Sequence, residues 1–316
     1  MKKLFLAAFP PLLGLLFVSC SLNKLVINKV SDVLGGSGSS NVFLTDNDPQ
    51  LVAGAVPFAI KMYETLLEQN PDHAGLILTT GSLFVMYANA FVQGPAEMLP
   101  FDEYEEKYFQ MDRAKNLYLR GVAILERGIK NKYPGMLGEW GPVDNPAFNR
   151  SLAAMKKEDI PLFYWYAAGT ISAYSLDAFD IALGLRVPQL VTIMQKAYEL
   201  DPDYNSGALD EFFLLLYAGL PDGMGGDMEK ALVHFQRAVE KSKGQTAGPY
   251  VSYAQSIAVK KQDYADFKDK LETALAIDPA ANPSNTLINT ISRQKARYLM
   301  ERAPELFLEF EDDDEY

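Results

Sequence analysis

Three apolar stretches of the chain end in the same way: Leu66-Leu67-Glu68-Gln69-Asn70-Pro71-Asp72, Ala197-Tyr198-Glu199-Leu200-Asp201-Pro202-Asp203 and Ala274-Leu275-Ala276-Ile277-Asp278-Pro279. The ring of a proline pushes the preceding residue out of the helical region, while proline itself suits a first helical position behind an Asp or Asn cap. Each dipeptide therefore reads as the stop of one helix and the start of the next. From Asp48 onward the apolar residues recur with helical period, and no run alternates apolar and polar residues as a half-buried strand would. The fold class this predicts is all-α, with the body over residues 45–308.

The helices carry a second regularity. A small residue, a large residue four later, a small one three after that and a proline five further on is the tetratricopeptide spacing, in which small residues let two helices approach and the large one fills the gap between neighbours. Leu190, Met194, Ala197 and Pro202 keep this frame, as do Phe267, Leu271, Ala274 and Pro279. Ala59, Tyr63, Leu66 and Pro71 fit it loosely; Ala231, Phe235 and Ala238 lack the proline, and so do Ala114, Tyr118 and Gly121. The expectation is an irregular tetratricopeptide-like stack of helical hairpins, an α-solenoid. Helices are predicted near 73–93, 103–132, 159–183 and 187–200, with insertions at 94–101 and 133–158. The second insertion should lie beside the Asx-Pro turns.

Met1-Lys2-Lys3 followed by the apolar run Leu4 to Val18 has the form of a secretory signal, and Leu16-Phe17-Val18-Ser19-Cys20 resembles a lipobox with Phe17 in place of the usual leucine. Cleavage would remove residues 1–19 and leave Cys20 to carry a diacylglycerol and an amine-linked acyl chain such as palmitate. Each buried methylene contributes about 0.8 kcal/mol, so two or three chains anchor a protein almost permanently. Ser21 after the cysteine fits outer-membrane sorting. Residues 20–44, with Gly35-Gly36-Ser37-Gly38-Ser39-Ser40, read as a tether. Glu311-Asp312-Asp313-Asp314-Glu315 makes 309–316 an acidic disordered tail.

The chemical inventory is thin. The single Cys in 316 residues excludes a disulfide framework and a thiolate metal site, and two His leave little for metal ligation or base catalysis. No metal, no cofactor and no catalytic residue is assigned. A net charge of -12 argues against nucleic acid, and loss of Lys2 and Lys3 makes the mature chain more acidic still. Gly223-Met224-Gly225-Gly226 completes no phosphate cradle and reads as a turn, with Asp227 capping the helix from Met228. His73 and His234 read as structural. The aromatic run Phe163-Tyr164-Trp165-Tyr166, continuing to Tyr174 and Phe179 on the same helix, covers too much of a helix circumference to face one core. Trp165, Tyr166, Tyr174, Phe212, Phe213 and Tyr217 are the candidate lining of a ligand or partner cleft. The enzymatic alternative is an envelope hydrolase using carboxylates such as Glu103, Glu139 or Asp144. A general envelope-assembly lipoprotein is a third reading.

Four segments carry a family resemblance: Arg113-Ala114-Lys115-Asn116-Leu117-Tyr118-Leu119-Arg120-Gly121, Leu162-Phe163-Tyr164-Trp165-Tyr166-Ala167-Ala168-Gly169, Ala197 to Tyr204, and Gly225 to Phe235. In this order, behind the lipobox, they resemble the TatT component family, tetratricopeptide lipoproteins associated with tripartite ATP-independent periplasmic (TRAP) transporters. The resemblance implies a non-enzymatic, periplasm-facing protein that docks the solute-binding P component. It also implies a homotrimer and a hole or cleft through each protomer, suited to handing over a hydrophobic or organic-acid ligand. Gly169 departs from the bulkier residue expected there, which bears on cleft width.

Overall fold

The computed structural model describes residues 41–137 and 145–309. The signal peptide, Cys20, most of the tether, Glu139, Asp144 and all but the first residue of the acidic tail lie outside the described residues. Within them there are helices and turns and no strand. The long helices are α1 Pro49–Gln69, α2 Ala74–Ala88, α3 Tyr104–Lys132, α4 Pro146–Ala154, α5 Ile160–Leu176, α6 Val187–Leu200, α7 Ala208–Gly219, α8 Met228–Lys241, α9 Gly248–Tyr253, α10 Tyr264–Ala276 and α11 Thr286–Glu301. Two of them run on without a break. α2 passes through a π turn, Asn89–Gln93, to Glu97, and α9 through another, Ala254–Ala258, to Lys261.

The Asx-Pro dipeptides end their helices as the sequence predicts, but none of them starts the next one. Asn70 and Asp201 leave the helical region, as the following proline demands, and the prolines then sit in turns. The next helices begin later: α2 is capped by His73, whose Nδ1 accepts from the Leu76 amide at 3.2 Å, and α7 and α11 follow short 3-10 turns. Asp48 and Asp227 cap α1 and α8, each accepting from amides at 3.0 Å.

Consecutive helices pack as neighbours along the chain: α1 on α2, α2 on α3, α3 on α5, α5 on α6, then α7 on α8, α8 on α9, α9 on α10 and α10 on α11. The positions of the repeat spacing lie where packing needs them. Ala59, Tyr63, Ala114, Tyr118, Leu190, Met194, Ala197, Ala231, Ala238, Phe267, Leu271 and Ala274 are buried, with Leu66 and Phe235 partly so. Gly121 marks a close approach of α3 to α2, because a Cβ there would sit 2.8 Å from the Gly81 carbonyl. A Cβ on Gly169 would lie 2.8 Å from Val85 and 3.0 Å from Val122, so the small residue serves the crossing of α5 over α2 and α3. The helix Ala74–Glu97 is long and apolar enough to span a membrane, yet half of that window is buried between α1, α3 and α5, as in a core helix.

The stack closes on itself. α11 packs on α1, and its Leu287 and Ile291 join the apolar cluster of Val52, Val56, Ile60 and Leu76. Lys295 meets Glu97 at 2.8 Å, and Tyr298 donates to the Glu97 carbonyl at 3.1 Å. Asn41–Leu44, assigned to the tether from sequence, is instead a helical turn against α11, with Phe43 in the same cluster. The end of α3 and the 133–158 insertion do lie beside the Asx-Pro turns: Asn131 reaches Asp72 at 2.9 Å, and Lys157 reaches Asp201 at 2.9 Å.

Candidate functional site

The aromatic helix α5 is shorter than the sequence suggests. It stops at Asp177, because Asp177 and Asp180 are both drawn to Lys115 of α3, at 2.6 and 3.2 Å, and the Asp180 carboxylate caps a separate turn through the Leu183 amide. Phe179 therefore lies off the helix and is 95% exposed. Of the six aromatic candidates, Tyr166 and Phe213 are enclosed in the core at 0% and 2% exposure and present no surface to a cleft. Tyr174 is half-buried and rests beside Gly184. Trp165, Phe212 and Tyr217 keep part of their surface while packing on the same core.

Ring contacts form two groups, which take in Phe213 and Tyr217 in one and Trp165 in the other. One surrounds His234. Its imidazole stacks on Phe213 and Tyr217, with centroids 5.0 and 5.7 Å away, while Tyr198 approaches edge-on at 5.7 Å. His234 Nδ1 lies 2.7 Å from Asp210, which also accepts from Tyr198 at 3.1 Å and from Lys241 at 2.7 Å. Asp210 is fully buried. Burial alone would raise its pKa, but the hydrogen bonds from His234 and Lys241 outweigh that and hold it below the usual carboxylate range. Lys241 also donates to the Pro202 carbonyl at 2.6 Å, so the network ties the end of α6 to α7 and α8. Every member has a structural partner, which gives His234 the structural part read from the sequence.

The second group centres on Tyr164, which sequence reasoning missed, as it missed Glu211, the next residue of α7 after Asp210. Tyr164 lies 5.4 Å from Trp165, edge to face, and 5.6 Å from Tyr204, tilted. Tyr204 is delivered by a turn in which Asn205, Ser206 and Gly207 all have positive φ, at 45°, 55° and 102°. Two non-glycine residues in the left-handed region cost strain of order 1–3 kcal/mol each, and such strain clusters at functional positions. Gly207 is also held within 3.2 Å, at its absent Cβ, of the α8 backbone at Ala238.

Glu211 stands against the first turn of α9. A Cβ on Gly248 would fall 2.7 Å from its Oε1, and Ser252 donates to the same oxygen at 3.4 Å, the outer limit of a hydrogen bond. Protein surrounds the side chain densely enough that burial pushes its pKa up to about 7, although part of its surface stays open. Burial, and after it the Glu211 charge, push the Tyr164 hydroxyl up, and burial pushes Tyr204 up to about 12. The signal available in the sequence was Asp210-Glu211 at the head of an otherwise apolar helix: one acid is locked into the His234 network, and the other is not.

Of the carboxylates of the hydrolase alternative, Glu139 and Asp144 lie outside the described residues. Glu103 is exposed at the start of α3, and no group of three or more metal-ligating side chains occurs among the described residues.

Comparison with known proteins finds likeness along the whole body. The chain is 33% identical over 307 residues, 93% of its length and 95% of the relative's, to an uncharacterized protein of Treponema pallidum (strain Nichols). The family model for the TRAP transporter T-component matches residues 45–307, from the turn before α1 to Phe307 behind α11. That match ties the protein to a TRAP transporter and so to the cell envelope. The chain belongs to the TRAP transporter T-component family.

Proposed function

We propose that this T component is a lipid-anchored, periplasm-facing scaffold that docks the solute-binding P component of its transporter and aids handover of a small ligand, without catalysing a reaction. The observation that carries the reading is the family match over the entire closed helical body. Three features support it. Cys20 at the end of a lipobox-like segment provides the anchor, to the periplasmic face of the outer membrane in the reading that Ser21 favours. The closure of α11 on α1 and α2 makes a rigid body suited to presenting a surface. The partly exposed rings of Trp165, Phe212 and Tyr217 offer an apolar surface on which a ligand can pause between receptor and membrane subunits. Assembly as a homotrimer belongs to the same proposal.

Co-purification from host membranes tests the docking. Recovery of the P component with the tagged chain supports the reading; quantitative recovery of the chain from membranes that contain an abundant, unbound P component contradicts it.

A further inference from the structure

We propose that the uncovered face of α1 is the docking site of a segment of this same chain, residues 22–34, packed along it as an amphipathic helix antiparallel to α1. α1 turns Val52, Val56, Ile60 and Leu67 inward, toward α2 and α11. Its other side, Leu51, Gly54, Ala55, Phe58, Met62 and Thr65, is exposed, and all but Thr65 are apolar. Leu51 and Phe58, one heptad apart, are 63% and 76% exposed. A Cβ added at Gly54 would meet nothing within 4 Å among the described residues. Further along, Phe58, Lys61, Met62, Thr65 and Leu66 border an open groove of about 330 Å³. A helix that is apolar on both sides is built to be covered on both, and a continuous exposed apolar stripe marks an interaction surface.

Sequence pattern, reach and direction choose the occupant. Residues 22–34 lie outside the described residues; in the sequence, Leu22, Leu25, Val26, Val30, Val33 and Leu34 recur with helical period, polar residues including Lys24, Lys29 and Asp32 fill the other side, and Gly35-Gly36 is a helix stop. So short a helix is marginal in water by itself and needs an apolar face to cover its stripe. It would be about 20 Å long, against about 16 Å from Leu51 to Met62. The chain joins the body beside the head of α1, where Phe43 shares the cluster of Val52 and Val56. The seven-residue step from Leu34 to Asn41 extends to about 23 Å, which lets Leu34 lie over the first half of α1. Laid back from there, the segment runs against α1 and brings Lys24 toward Glu68, exposed at the far end. A second copy meets this face only at its own concentration, whereas a segment on a short linker is present at about millimolar effective concentration. A lipid surface would be served by cations beside the apolar stripe, and between Leu51 and Thr65 the one exposed charge is Lys61. With Cys20 acylated, as proposed above, the docked segment would set the Gln69 end of α1 toward the membrane. The packing itself needs neither the acyl chains nor a P component, so its failure and theirs are separate.

Thiol labelling and hydrogen exchange on the full-length protein, in detergent and in phosphatidylcholine vesicles alike, test the contact from both sides. Labelling of Met62→Cys by iodoacetamide, read at that position by peptide mass spectrometry, should be at least about tenfold slower than in the Met62→Cys, Val30→Asp double variant. Amides within residues 22–34 should exchange at least about tenfold more slowly than in an unfolded chain, and Phe58→Asp, at a position exposed in the body and checked for an unchanged helical spectrum, should abolish that protection. Equal labelling with and without Val30→Asp, absence of protection in the wild-type protein, or protection that survives Phe58→Asp would overturn the proposal. A Phe58→Asp protein that sediments as a smaller assembly with exchange in 22–34 unchanged would overturn it too, by assigning the face to a second copy.

Discussion

Glu97 and Lys295, 198 residues apart in the chain, meet at 2.8 Å where the last long helix returns to the second. Each side chain is about a quarter exposed, so the pair itself contributes only about 0.2–1 kcal/mol. What closes the seam is the apolar contact beside it. Leu287→Ala should cost about 2–5 kcal/mol, and Lys295→Glu should speed amide hydrogen exchange in α11 well before global unfolding. Charge exchange in the Glu97→Lys, Lys295→Glu double variant should restore most of that protection. Unchanged exchange in Lys295→Glu would show that the pair does not help hold the seam.

The Asp210 network should be the most sensitive polar site in the fold. Asp210→Ala leaves Lys241 without its buried partner and should cost about 3–5 kcal/mol in denaturant unfolding. The folded pKa of Asp210 is depressed, so its stabilisation is present above the unfolded carboxylate value near 4 and is lost as pH falls through the folded value. Asp159, bound by Lys132, Tyr133 and the Lys156 amide, is depressed in the same direction and adds to the same acid limb. Asp210→Asn should therefore flatten the loss of stability below about pH 4.

Glu211 has the opposite sign. Its pKa is raised from 4.5 to about 7, so the folded protein holds this proton more tightly than the unfolded chain, and the cost of ionising it grows as pH rises between those values. Glu211→Gln should raise the melting temperature at pH 8 and leave it nearly unchanged at pH 4. Equal effects at both pH values would show that the carboxyl does not titrate in an enclosed site.

Gly121 permits the α2–α3 approach, and Gly121→Val should overpack it, costing about 1–3 kcal/mol or more because the obstruction is backbone. Equilibrium unfolding by urea reads this directly.

The lipobox reading of Cys20 is testable by fractionation. Cys20→Ala should give an unprocessed or soluble product. A processed Cys20→Ala species that still sediments with membranes would contradict lipid anchoring.

Helix identity was legible because it depends on local spacing: the buried faces of α1, α3, α6, α8 and α10 follow from the repeat positions, and the Asx-Pro dipeptides mark helix ends. The restart of helices after those dipeptides was read wrongly. Asn70 and Asp201 spend their non-helical conformation on a turn, and the caps that matter stand later in the chain, at His73 and in the 3-10 segments. The break at Asp177 was hidden because it depends on Lys115, which lies far away in sequence. Closure by α11 was hidden for the same reason, since Leu287 looks like any apolar helix residue until α1 and α2 are beside it. The aromatic run mixes core and part-exposed rings on one helix, which spacing alone does not separate. Tyr166 serves the core, and Tyr164, one step from Trp165, packs on Tyr204 of the turn before α7.

Sedimentation velocity of the full-length chain with the P component of its own transporter, each at roughly 50 µM in detergent, tests docking most directly. A faster boundary containing both proteins is the predicted result. Two independent boundaries, with and without the transported solute, would contradict it.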